Sequence, residues 1–69
     1  MLSQQLGKAL KAERERQGLT QKGVAERMGC QYSLVQAIEY TSRDFRLSTI
    51  ERYAAALGIS LKVVVSRIR

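Results

Sequence analysis

The chain has no histidine, no proline and no tryptophan, and it holds one cysteine, Cys30, and one aspartate, Asp44. Those absences remove most enzyme chemistry. A metal centre needs several His, Cys or carboxylate ligands, and a thiol nucleophile needs a base beside it. Neither set can be assembled from this inventory. Two carboxylates could still face each other across a cleft, but no spacing among the six acidic residues suggests it. An enzyme is not expected, and neither metal nor cofactor is implied. One cysteine cannot close an internal disulfide, which suits a reducing compartment. No apolar run approaches the ~18 residues of a membrane span. The amino-terminal stretch MLSQQLGKALK is polar and periodic, unlike a secretory leader. A cytoplasmic location with no membrane contact is therefore expected. Internal repeats and low-complexity tracts are also missing.

What remains is small and basic. The 69 residues allow one domain at most. A domain of this size buries only about 60% of the surface its unfolded chain exposes, so its core is marginal. Help commonly comes from a second subunit. A hydrophobic fraction of 45% suits a globular chain. Twelve Lys and Arg oppose six acidic residues, a net charge of +6. That balance reads either as a solvated cationic surface or as the footprint of a polyanionic partner.

The apolar spacing is helical through most of the chain. Leu6, Ala9 and Leu10 fall at i, i+3, i+4 in a helix from Ser3 to Gln17, with Ser3 as its cap and Gly18 at its end. Thr20 is suited to cap a second helix, Gln21 to Met28, with Val24, Ala25 and Met28 inward. Gly29 stops it. A third helix runs from Gln31 or Tyr32 to Tyr40, with Val35 and Ile38 inward. A polar loop, 41–46, leads to a fourth helix from Leu47 to Leu57. Its stripe is Leu47, Ile50, Ala54 and Leu57, with Tyr53 beside it.

The tail SLKVVVSRIR looks different. It is β-branched and roughly alternating: Leu61, Val63 and Val65 face one way, Lys62, Val64 and Ser66 the other. This pattern predicts a strand, with a helical continuation or a frayed tail as the alternative. A lone strand cannot satisfy its own backbone groups. Its simplest partner is the same strand of a second copy, paired antiparallel across a two-fold axis. Leu61, Val63, Val64, Val65 and Ile68 are then the expected dimer interface. The expectation is a domain at 1–60 and a dimerisation strand at 61–69.

The stretch TQKGVAERMGCQYSLVQAIE holds the sharpest signal. Ala25 has almost no side chain, Gly29 can take a positive φ, and Val35 can fill the inner corner between two helices. A small residue, a turn glycine and a branched residue at this spacing describe a helix-turn-helix. Here GLTQKGVAERMGCQYSLVQAIE resembles the lambda-repressor and Cro-like (XRE-type) helix-turn-helix family, and the likeness covers residues 3 to 60. The Gly-Leu-Thr-Gln opening, the Ala, Gly and Val positions, the Ile38-Glu39 ending, the Leu-x-x-Ile stripe and the closing Ala-Leu-Gly all fit. The implied fold is all-α: a small four-helix lambda-repressor-like domain, here with the C-terminal β-strand added. Some positions depart from the pattern. Gln31 stands where Ser or Thr usually caps the recognition helix, and YTSRDFR replaces a loop that usually carries a glycine and a proline.

The motif lays its second helix in the major groove with the first residues on base edges. With Val35 and Ile38 buried, the outward positions are Tyr32, Ser33, Gln36 and Ala37. Ser33 can hydrogen-bond a base, and Ala37 suits a thymine methyl. By resemblance, Tyr32, Ser33 and Ala37 match the base-reading positions most closely. Leu34 either packs on the loop or touches a thymine methyl. The resemblance implies a phosphate clamp at Gln21, where the helix start already favours an anion. Tyr40, Thr41, Ser42, Arg43 and Arg46 are further phosphate candidates. It also pairs Arg14 with Glu39 in an internal salt bridge. Cys30 sits in the turn, as a structural thiol or a redox switch.

The implied function is a sequence-specific regulator, repressor-like, that binds an inverted-repeat operator in double-stranded DNA as a homodimer. The short body with its apolar tail looks like the HipB-type antitoxins, which implies a HipA-type kinase toxin as a further partner. The alternative is a protein-interaction module of the same fold that does not bind DNA. Membrane-surface binding would need a wider apolar face than the first helix has.

Overall fold

Three of the chain's turns are made the same way, by a helix running into a glycine. The computed structural model describes residues 2–40 and 45–68, which form α1 Leu2–Arg16, α2 Gln21–Met28, α3 Tyr32–Tyr40, α4 Leu47–Ala56 and α5 Leu61–Ser66. α1 ends where Gly18 turns to φ 73°, so that the Leu19 N–H reaches back to the Arg14 carbonyl at 3.0 Å. Gly29 does the same for α2, with φ 68° and the Cys30 N–H on the Ala25 carbonyl at 3.0 Å. Only a residue without a Cβ takes this left-handed conformation at no steric cost. Thr20 starts α2: its hydroxyl accepts the Gly23 N–H at 2.9 Å. α1 begins at Leu2, so Ser3 lies inside the helix and is not its cap.

One core joins all five helices. Leu6 and Leu10 of α1 meet Val24, Ala25 and Met28 of α2, Val35 and Ile38 of α3, Ile50, Tyr53 and Ala54 of α4 with Leu57 after it, and Val64 of α5. Leu47 does not join them. It is 61% exposed, and the inward stripe of α4 starts one turn later, at Ile50. α2 and α4 also exchange arginines: Arg27 donates to the Ala56 carbonyl at one helix end and Arg52 to the Met28 carbonyl at the other. Both cations lie against the negative end of the opposite helix.

Among the described glycines, the closest approach of two backbones is at Gly7, between α1 and α3. A Cβ built on Gly7 would lie 2.2 Å from the Ile38 carbonyl oxygen. The two backbones therefore touch, and Gly7 rather than a core side chain sets how close α3 is held.

The carboxy-terminal strand is not supported, and no strand occurs among the described residues. Leu61–Ser66 is a short helix. Ser60 caps it by accepting the Val63 N–H, and Leu61, Val64 and Ile68 recur at i, i+3, i+7. The tail carries both periods, and the helical one satisfies the backbone within a single chain. Val64 is buried in its own core, and Leu61 and Ile68 are half-buried against it. That leaves Val63 and Val65 facing out. Glu13, buried in α1, accepts from Arg16 at 2.6 Å, from Gln17 at 2.8 Å and from Arg67 just beyond α5. Gln17 also donates to the Leu57 carbonyl at 2.8 Å. Residues 61–68 are thus part of the helical body and not an appended strand.

Candidate nucleic-acid interface

α3 is held from behind and bare in front. Val35 and Ile38 fix its inner face in the core, while Tyr32, Ser33 and Tyr40 are exposed and Gln36 and Ala37 are half-buried. At 100° per residue the outward arc runs from Tyr32 through Gln36, then Tyr40 and Ser33, to Ala37 and Leu34. Its two edges differ in chemistry. On the first, the Gln36 amide donates to the Tyr32 hydroxyl at 3.1 Å. Lys22 lies 5.8 Å from the Tyr32 ring centroid and Lys11 lies 4.8 Å from that of Tyr40. Both distances are within reach of a cation–π attraction. On the second edge Gln31, Ser33, Leu34 and Ala37 line an open hollow of about 460 Å³. Leu34 itself is half-buried and packs on the core.

The only acidic side chain in α3 is turned away from this arc. Glu39 accepts from Arg14 Nε at 2.8 Å and Nη2 at 3.1 Å, from the Gln21 amide at 3.0 Å and from the Tyr53 hydroxyl. Arg14 Nη1 also donates to the Leu19 carbonyl at 2.8 Å. The network ties α1, α2, α3 and α4 at one point. Burial alone would raise the Glu39 carboxyl, but the hydrogen bonds from Arg14, Tyr53 and Gln21 outweigh it and hold the group below the usual glutamate range. Burial pushes the Tyr53 phenol up, and its bond to the Glu39 carboxylate pushes it further. Burial lowers Arg14, yet its pairing with Glu39 leaves it above its ordinary value. The charges are thus locked in the states that attract each other.

The start of α2 forms a second hollow, of about 400 Å³, lined by Arg14, Leu19, Thr20, Gln21, Lys22, Tyr32 and Tyr40. Unpaired backbone N–H groups at a helix start, with Lys22 beside them, favour an anion there. Gln21 stands at this place, half-buried, with its amide held by Glu39. Arg46 is exposed directly before α4 and makes no side-chain cap. Thr41, Ser42 and Arg43 lie outside the described residues. Cys30 is half-buried in the turn. Among the described residues no cluster of His, Cys, Asp or Glu could hold a metal, and no helix is long and apolar enough to cross a membrane.

A family model for a helix-turn-helix domain matches residues 5–64. The chain belongs to the XRE-type helix-turn-helix regulator family. It is 42% identical to Antitoxin HigA1 of Mycobacterium tuberculosis over 57 residues, 83% of this chain and 38% of that protein. The chain thus spans well under half the length of the curated relatives it matches. Among solved structures it resembles the restriction-modification controller C.AhdI of Aeromonas hydrophila, at 29% identity and a TM-score of 0.81, over 90% of this chain and 94% of that one. The regulator ClgR of C. glutamicum superposes with a TM-score of 0.88 at 24% identity, over 96% and 86% of the two chains. The controller C.Esp1396I, solved as a tetramer with its natural 35-base-pair operator, gives 0.87 at 23%, over 96% and 87%. At those last two identities the likeness is one of fold.

Within this XRE-type fold, several residues of the site escape a reading by sequence. Lys11 and Lys22 stand over Tyr40 and Tyr32 from two other helices, and Tyr53 reaches Glu39 from a fourth. Gly7 did carry a signal, as an isolated glycine inside a helical pattern.

Proposed function

We propose that the chain is a sequence-specific DNA-binding transcriptional regulator, repressor-like, that acts in the cytoplasm on an inverted-repeat operator as a homodimer. One observation carries the reading: the outward arc of α3 holds no acid and is edged by lysines, while the helix's only carboxylate is buried on Arg14. α3 enters the major groove, with Tyr32, Ser33, Gln36 and Ala37 on base edges. Tyr40, Arg46 and the 41–43 segment meet phosphates, joined by Lys11 and Lys22. Gln21, held by Glu39, stands at the rim of the α2 hollow, where a phosphate oxygen meets the helix start. One such helix reads few base pairs, so two copies are needed, set about 34–36 Å apart on the duplex. The outward Val63 and Val65 are the apolar contact offered to the second copy.

A second reading adds to the first. The likeness to Antitoxin HigA1 supports a role as the DNA-binding part of a toxin–antitoxin pair. Nothing in it singles out a HipA-type kinase as the toxin.

Selection of bound duplexes from a random pool tests the proposal. The expected product is an inverted repeat, bound with an affinity that falls steeply as salt rises. Ser33→Arg should weaken that site roughly 10- to 100-fold, as expected for a lost base contact of ~1–3 kcal/mol, and leave the melting temperature unchanged. A wild-type chain that binds no duplex at low salt is instead a protein-interaction module.

A further inference from the structure

The side of α1 turned away from α3 carries a groove that DNA binding does not use. At about 100° per residue, Gln5, Ala9, Ala12 and Arg16 lie roughly opposite Gly7, the residue that touches α3. Two open hollows of about 430 and 280 Å³ run along this side, and they share Ala9 and Arg67. Their floor is apolar: Ala9, Ala12 and, from beyond α5, Ile68. Their rim is basic: Lys8, Arg16 and Arg67. The two arginines come from different elements and are held in place. Glu13, with 3% of its side chain exposed, accepts from both and draws them to one point. It occupies only some of the five N–H donors that each guanidinium carries. The side chains of Arg16 and Arg67 remain 66% and 43% exposed, so the other donors face the groove or solvent. Three cations against one buried acid leave an excess of positive charge above an apolar floor.

Charge complementarity selects the occupant. A second copy of this chain on a two-fold axis would set Lys8, Arg16 and Arg67 against themselves. A phosphate backbone would meet the cations but leave Ala9, Ala12 and Ile68 against polar atoms. A helix with an acidic edge and an apolar stripe matches both parts. The small side chains of Ala9 and Ala12 let such a helix lie close. From Gln5 to Arg16 the groove is about 16 Å long, room for three helical turns. Lys8 and Arg16 are about 12 Å apart along the axis, so matching carboxylates recur every seven or eight residues on the partner.

We propose that this groove is a docking site for an acidic amphipathic helix of a partner protein. The partner's apolar stripe lies on Ala9, Ala12 and Ile68, and its carboxylates meet Lys8, Arg16 and Arg67. The site is off the α3 face, so a partner held there leaves that face open. The inference goes beyond the DNA-binding reading and does not rest on it.

The probe is a fluorescein-labelled synthetic helix of about 18 residues, five turns, with a leucine–alanine stripe flanked by glutamates at that spacing. A peptide of the same composition with the order scrambled is the control. In fluorescence anisotropy the full chain should bind the amphipathic peptide at least ~10-fold more tightly than the scrambled one. Lys8→Glu combined with Ala12→Glu changes two exposed positions outside the Glu13 contacts. This variant should lose at least ~10-fold in peptide affinity and keep its circular dichroism spectrum. Lys22→Glu, on the α2 rim, should stay within about two-fold of the wild type. Amide NMR shifts on the wild-type chain should centre on Lys8, Ala12, Arg16 and Arg67, and should persist when a random duplex is added. Absence of peptide binding overturns the proposal, as does equal binding of the scrambled control. So do shifts confined to α3, or displacement of the peptide by duplex, which would make it a mimic of DNA on the α3 face. If the double variant does not fold, the shift map of the wild-type chain decides alone.

Discussion

At the scale of single residues, Glu39 is the group on which most depends. A carboxylate with no exposed side-chain surface costs several kcal/mol unless it is paired and fully hydrogen-bonded. Here Arg14, Gln21 and Tyr53 supply every bond it needs, and each comes from a different helix. Net stability from such a pair is small, but the loss of one partner is not. Glu39→Gln strands the Arg14 guanidinium and should cost about 3–5 kcal/mol. That approaches the whole stability of a 69-residue domain, roughly 3–10 kcal/mol. The sign with pH follows from the direction of its shift. Its folded carboxyl titrates below the unfolded one, so the stabilisation is present above the ordinary glutamate value of about 4.3 and is lost as pH falls through the lowered folded value. Urea midpoints at pH 7 and pH 3 check both points. The wild type should lose more between them than Glu39→Gln does. Equal acid losses in the two chains would mean that Glu39 is not the group titrating.

At the scale of elements, the question is which helix positions α3, and the answer is α1 through Gly7. An alanine there gains up to ~1 kcal/mol of helix propensity. Its Cβ, however, would have to occupy space 2.2 Å from the Ile38 carbonyl oxygen, a backbone atom that cannot rotate away. Forcing a methyl into a packed site costs about 1–3 kcal/mol or more, so the clash outweighs the propensity. Gly7→Ala should lower the melting temperature by roughly 5–15 °C and weaken operator binding further, because α3 is displaced. A melting temperature that rises would mean that α1 and α3 do not touch there. Gly7 also marks the limit of a reading by sequence. α2, α3 and most of α4 follow from the 3.6-residue period and their turn glycines, and the outward arc of α3 follows from placing Val35 and Ile38 inside. The α5 tail did not follow, because Leu61–Ile68 satisfies a strand period and a helix period at once; the choice rests on the Ser60 cap and on room for Val64 in the core. Contacts between remote elements, such as Gln21 on Glu39 or Lys11 on Tyr40, leave no period in a chain. They depend on how the helices cross.

At the scale of the molecule, the +6 charge would draw the proposed regulator to any duplex, and geometry must then supply the choice of site. In the proposed dimer, geometry means two copies of α3 at a fixed separation, which makes the copy-to-copy contact part of recognition. α5 is docked firmly on its own body, with Val64 buried and Arg67 on Glu13. Its outward side can therefore be altered without touching the core. Val63→Lys combined with Val65→Lys places two like charges per copy on the proposed contact, so that closing the dimer brings four cations together. Sedimentation should report a monomer where the wild type is expected to be a dimer, with an unchanged circular dichroism spectrum and a melting temperature lowered only by the lost association, so that it no longer depends on protein concentration. Operator affinity should drop at least ~10-fold, although the variant carries more positive charge than the wild type. That opposition separates two causes. If general electrostatics dominated, two added lysines per chain would tighten binding to every duplex. If paired half-sites dominate, binding to a single half-site should hold or rise while binding to the full inverted repeat falls. A variant that remains dimeric would move the contact away from Val63 and Val65, to another surface of the five-helix body.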